Sequence, residues 1–169
     1  QQLSTMISRV CSSGKSRAVA RTLAAVPGHA AEGSAEVDAP AAVIWSVLTD
    51  FESWAGFMPG LAQVQVEESS ADRIAIHHLT ETMGLTISFT TLARVDPERM
   101  RLELALDPNA VNDLRAMEAS WQLTELSNGR VRVEFRSELE SGRPVPRLLE
   151  RRVIASTVFW KLRMDSRAT

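Results

Sequence analysis

Five stretches of this chain alternate apolar and polar residues with a period of two. In DRIAIHHLT (72–80) the residues Ile74, Ile76 and His78 share a face. In LTISFTTL (85–92) Leu85, Ile87, Phe89 and Thr91 do, and in MRLELAL (100–106) Met100, Leu102, Leu104 and Leu106 do. In EASWQLTEL (118–126) the set is Ala119, Trp121 and Leu123, and in VRVEFRSEL (131–139) it is Val131, Val133, Phe135 and Ser137. LAQVQVEES (61–69) adds a weaker sixth run. Successive side chains of a strand point to opposite faces, so each run has one wet and one dry face. Such strands belong to an antiparallel sheet. Turn signals separate the runs: Ser69-Ser70, Met83-Gly84, Asp96-Pro97 and Asn128-Gly129. Asn-Gly favours a tight hairpin.

Ahead of these runs, AAEGSAEVDA (30–39) puts Ala31, Gly33, Ala35 and Val37 on one face and Glu32, Ser34, Glu36 and Asp38 on the other, the pattern of a half-buried strand. Pro40 then opens a short helix with an apolar stripe of Val43, Ile44, Val47 and Leu48. Asp50 caps a second short helix. On it Trp54, Phe57, Met58 and Leu61 follow helical spacing, until Pro59-Gly60 stops it. Behind the last strand, VPRLLERRVIASTVFWKLRMDS (145–166) has the only long helical period in the chain. A sheet with one dry face needs a cover, and this is the element long enough to supply it.

The chain has 169 residues, which predicts one domain with a sizeable core. Its net charge is −2 and its cations are not clustered, which argues against nucleic acid as a partner. Cys11 is the single cysteine, so no internal disulfide or cysteine-based metal site forms, and the expected compartment is reducing, cytoplasmic by default. No apolar run is long enough for a transmembrane helix. Residues 1–31 differ, with no Asp or Glu but with Arg9, Lys15, Arg17, Arg21 and five serines. That is the composition of a mitochondrial or other organellar transit peptide. The alternative is an added strand or helix laid over the domain, with SRAVARTLAAVPG (16–28) readable as a helix capped by Ser16 and stopped by Pro27-Gly28.

WSVLTDFESWAGFMPG (45–60) holds two tryptophans, two phenylalanines and a methionine, although aromatic residues are only 5% of the chain. This stretch carries a resemblance. AP (39–40), Trp45, LTDF (48–51), Trp54, FMPG (57–60) and the later VPRLLERRV resemble the START-like, or helix-grip, superfamily. They are similar to its polyketide cyclase/dehydrase-like and coenzyme Q-binding-like branch. The resemblance covers about residues 30–165 and leaves 1–29 as an extension. It implies an α+β fold in which a curved antiparallel sheet wraps a long C-terminal helix and two short helices close one end. Trp54, Phe57 and Met58 then form the gate or floor of an apolar cavity, together with Phe89, Leu104, Trp121 and Phe135. The alternative is that they only plug the sheet end as core.

Polar candidates are few. On a helical wheel, Leu148, Leu149, Phe159 and Trp160 fall on the apolar side of the terminal helix, with Arg152, Ser156 and Arg163 inside that arc. Arg152 and Ser156, a turn apart, can address one ligand oxygen between Leu148 and Phe159; a salt bridge is the alternative for Arg152 and a surface position for Arg163. His77 and His78 are adjacent on a strand and so face opposite ways, which disfavours a shared metal. His78 shares its face with Ile74 and Ile76 and is expected inward. No Ser-His-Asp order, Cys-His pair or phosphate loop is recognisable, so no cofactor is expected.

The leading reading is a binding module or carrier for a hydrophobic small molecule: lipid, quinone or polyketide-like. The second is a cyclase, aromatase or dehydratase, for which His78, Arg152 and Ser156 are the available catalytic groups. The third, by analogy with the family, is a ribosome- or protein-binding regulator.

Overall fold

The structure is a computed structural model, and it describes residues 18–23, 29–58, 60–70, 73–82 and 84–142. Eight strands form one antiparallel sheet: β1 Ala18–Leu23, β2 His29–Val37, β3 Leu61–Ser69, β4 Ile74–Thr82, β5 Leu85–Asp96, β6 Arg101–Leu106, β7 Leu114–Glu125 and β8 Val131–Ser141. Between β2 and β3 lie one α-helix, α1 (Ala41–Thr49), and a 3-10 helix (Phe51–Gly56). The segment 145–166, expected as the long helix, lies outside the described residues.

The sheet order is β1-β2-β8-β7-β6-β5-β4-β3. Strands 3 to 8 are a simple meander, and β2 returns to pair with β8. The connection from β2 to β3 therefore crosses six strand spacings, about 29 Å on a flat sheet. Only α1, the 3-10 helix and short flanks are available to bridge it. The sheet is curved, and the curvature brings its two sides toward this strap.

The inward faces follow the alternation. Ile76, Leu102, Leu104, Ala119, Trp121, Leu123, Val131 and Val133 are buried in one cluster with Leu48, Phe51 and Trp54. Leu85 keeps the face of Ile87 and Phe89 but, as the first residue of β5 at the hairpin end, is exposed.

Of the two added elements weighed for the N-terminal extension, a strand or a helix over 16–28, residues 18–23 form the strand, at the sheet edge with Ala18 opposite Ala35 and Leu23 opposite Ala30. An isolated helix this short is marginal in water, and β2 offers a row of free backbone groups to a segment containing β-branched Val19 and Thr22. Three expectations change. The buried stripe of α1 is Ala41, Ile44, Trp45 and Leu48, while Val43 is exposed. The large indole of Trp45 takes the core side and turns Val43 outward. The second helix ends at Gly56, so Phe57, Met58 and Leu61 reach the core from a turn and a strand. Met58 and Phe57 both donate backbone N–H groups to the Trp54 carbonyl, and Gly60 takes a left-handed φ of 82° that redirects the chain into β3. Asp50 makes no side-chain cap; its carbonyl accepts the Ser53 amide and hydroxyl instead.

Strand β6 is half the length of β5, so part of β5 needs another partner. The loop 107–113 supplies it. Asn112 Oδ1 accepts the Thr90 amide at 2.8 Å, Asp113 Oδ2 accepts the Ser88 amide at 2.9 Å, and the Asp113 amide donates to the Ser88 carbonyl. The Asn112 amide group in turn donates to the carbonyls of Asp107 and Ala110. Asp107 is buried and paired with Arg73 at 2.8 Å.

Asn112→Ala leaves the buried Thr90 amide without an acceptor and is expected to cost about 1–3 kcal/mol. Urea unfolding measures the loss, and faster hydrogen exchange at Thr90 than at Thr91 locates it. Trp54→Ala, which empties the centre of the strap, is expected to cost about 3–5 kcal/mol. A loss under about 1 kcal/mol on the same measurement would show that the strap does not hold the sheet's curvature.

Candidate functional site

The concave face gathers its aromatic groups around the strap. Trp54 is 2% exposed. Its ring meets Phe51 edge-on at 5.3 Å between centroids, Trp121 at 5.5 Å and His78 at 6.4 Å. Trp121 continues to Phe135 at 5.0 Å, and His78 stacks on Phe89 at 4.9 Å with an interplanar angle of 14°. The residues come from four strands and the 3-10 helix, so the sheet's register sets their spacing. Trp121 and Phe135 are cross-strand partners, as are His78 and Phe89.

His78 is the polar member of this group. It is 3% exposed, and its Nε2 lies 2.8 Å from the hydroxyl of Thr91, itself fully buried. Burial, with a smaller contribution from the neighbouring His77, pushes its pKa down to about 4. The imidazole is therefore neutral near pH 7. A neutral ring can donate from one nitrogen and accept at the other. His77 points to the opposite face, where Nδ1 contacts Thr90 Oγ1 at 3.2 Å and Nε2 contacts Ser88 Oγ at 3.4 Å. The two rings cannot share an ion.

Of the residues expected at the site, Trp54, Leu104 and Trp121 are buried in one cluster, with Phe57, Met58 and Phe135 half-buried against it. Phe89 joins through His78. Leu148, Arg152, Ser156 and Phe159 lie outside the described residues. Two members were not singled out from sequence. Phe51 sits three residues before Trp54, the spacing that makes them neighbours on one helical turn. Thr91 lies two positions beyond Phe89, the direct partner of His78, and so on the same face.

A groove of about 440 Å³ is lined by residues of β2, β6, β7 and β8. Its lining includes Glu32, Ser34, Arg101, Gln122, Glu134 and Arg136. Arg101 and Arg136 are paired with Glu103 and Glu138 on their own strands, at 2.6 Å each. Trp121 and Phe135 of the aromatic cluster also line it, so the groove mixes polar and apolar surface.

The neutral state of His78 has a pH consequence. The unfolded chain takes up a proton near pH 6.5 that the folded chain takes only near pH 4. Stability from this group is whole above the unfolded value and is lost as pH falls through the window between the two. Between about pH 7 and about pH 4.5 the expected loss is about 2–3 kcal/mol. In His78→Gln this part of the loss should disappear from urea unfolding measured at both pH values. Equal slopes in the two proteins would mean that His78 titrates normally.

Several solved structures share this fold. A START superfamily protein from Mycobacterium smegmatis aligns with a TM-score of 0.66 and 18% identity, over 83% of this chain and 97% of that one. The STAR-related lipid transfer protein from Xanthomonas axonopodis gives 0.64 and 13%, over 90% and 93%. The Zhui aromatase/cyclase from Streptomyces sp. R1128 gives 0.57 and 16%, over 91% and 87%. Comparison with curated protein sequences finds no match. At these identities the structural likeness establishes the fold. The sequence itself goes further: residues 28–164 match the family described as polyketide cyclase / dehydrase and lipid transport, and with most of its length inside that match the chain belongs to this family.

Proposed function

We propose that this chain binds a hydrophobic small molecule against the concave face of its sheet. The observation that carries the reading is the continuous aromatic surface from Phe89 through His78, Trp54 and Trp121 to Phe135. The described helices cover only part of it: α1 meets β7 and the 3-10 helix meets β3. The rest of a dry face this broad needs a cover. Residues 145–164, with their apolar arc of Leu148, Leu149 and Phe159, are our candidate, which would complete the helix grip over residues 30–165. A pocket between such a helix and the sheet suits a lipid, quinone or polyketide-like molecule, with few polar groups to orient it. The family description and the lipid transfer neighbour support the same class.

A second reading makes the chain an enzyme on a polyketide-like substrate. The family description and the aromatase/cyclase neighbour favour it, and His78 bonded to Thr91 is the described group able to move a proton. A pKa near 4 makes that ring a weak base, so the carrier reading stands first.

Native mass spectrometry of the protein purified from its own cells, followed by extraction, separates the two. An acyl or isoprenoid chain supports the carrier, and an aromatic polyketide supports the enzyme. Purified protein should also take up diphenylhexatriene with a rise in its fluorescence; no uptake and no extractable ligand would sink both readings. Arg152→Leu adds a finer test. If Arg152 anchors an acidic head group, the variant stays folded, keeps diphenylhexatriene and loses roughly tenfold in affinity for parinaric acid. If it forms a buried salt bridge, stability falls by about 3–5 kcal/mol instead.

A further inference from the structure

Among the described residues, one buried side-chain nitrogen or oxygen has no hydrogen-bond partner: Nε1 of Trp54. Buried polar groups are nearly always paired, and a sealed donor without an acceptor is a cost that folding must offset elsewhere. Neighbouring buried groups obey the rule. His78 has Thr91, and Asp107 has Arg73 and the Asn109 amide. The chain could bury a ring at position 54 without this cost by using phenylalanine, which has no N–H.

We infer that the Trp54 indole N–H is the donor for an oxygen of the bound molecule, and that this oxygen is a neutral carbonyl. The inference rests on the ligand-binding reading above and narrows it to a chemical class. An indole N–H only donates, so the partner must be an acceptor. The rings around it are Phe51, Trp121 and the neutral His78, so no cation of that cluster offsets a carboxylate brought there. A buried charge without a partner is costly, whereas a ketone or ester oxygen is not charged. Because the N–H is sealed from solvent, the oxygen enters by displacing part of the cluster. Phe57 and Met58, half-buried and hydrogen-bonded through their amides to the Trp54 carbonyl, follow directly on the same strap.

A matched pair of probes tests the class: fluorenone and fluorene, which differ by one carbonyl oxygen on the same rings. Wild-type protein should bind fluorenone more tightly. Trp54→Phe should bind fluorene nearly as wild type does and lose about three- to tenfold in affinity for fluorenone, the size of one neutral hydrogen bond. Trp121→Phe, a control in the same cluster, should affect both probes alike. Thermal melting without ligand gives an independent measure. Removing an unpaired donor relieves a cost, so Trp54→Phe should lower the midpoint by about 2–4 °C less than Trp121→Phe does. An equal loss of both probes in Trp54→Phe overturns the inference, and so does a larger melting loss than in Trp121→Phe, which would mean that the N–H is already satisfied against a ring face. Failure of wild-type protein to bind either probe instead overturns the ligand-binding reading beneath it.

Discussion

One indole ring touches both sides of the sheet. Trp54 packs on Trp121 of β7 and on His78 of β4, strands three spacings apart, or about 14 Å on a flat sheet. It can do so only because the sheet curls and its side chains converge. The curl in turn is what lets a strap of two short helices join β2 to β3 across the concave side. Geometry of the sheet, path of the chain and composition of the aromatic face are thus one constraint seen three ways. The concentration of aromatic residues in 45–60 has its explanation here: a strap over a concave surface contacts several strands at once, and large flat side chains are what can span the gaps between them.

Much of this was readable before any coordinates. Period-two alternation identified the inward residues of β4, β6, β7 and β8 because each of those strands has one side on the core, and a one-residue slip would put Leu102 or Val133 into water. Trp54 was readable as inward from the helical spacing of Trp54, Phe57, Met58 and Leu61, which left gate and core plug as alternatives. Other features depended on information that a local window lacks. The six residues of β1 have no alternation to betray them; their state is decided by a partner strand, not by themselves. In α1 the periodicity was right but its phase was off by a fraction of a turn, since both Val43 and Trp45 border the stripe and only packing chooses between them. The role of 107–113 was invisible because asparagine and aspartate there look like any loop.

Among the described residues the aromatic face carries no charged group. His78, Thr91 and the Trp54 N–H are polar but uncharged, and the described charges pair mostly outside: Arg101 with Glu103, Arg136 with Glu138, Arg73 with Glu68 and Asp107. A surface of that kind discriminates by shape and by the position of one or two hydrogen bonds, not by charge. It also accounts for how a family can hold both transport and cyclisation on one frame. Little beyond the placement of a proton-moving group need separate a pocket that stores a molecule from one that transforms it.

Strand β1 lies entirely outside the matched region, which begins at residue 28. Without β1, the outer row of backbone donors and acceptors on β2 would face water along HAAEGSAEV, a run of small residues with no proline and no lysine. Its acidic residues are Glu32 and Glu36, and its regular, unbroken register makes it a template for a second chain. The added strand closes that row, leaving β1 and β3 as the margins of the sheet, and β3 is broken by two register shifts and carries Glu67 and Glu68. Strand β1 therefore shields the edge of β2, and a chain trimmed to residues 28–164 would expose that edge to pairing with a second copy.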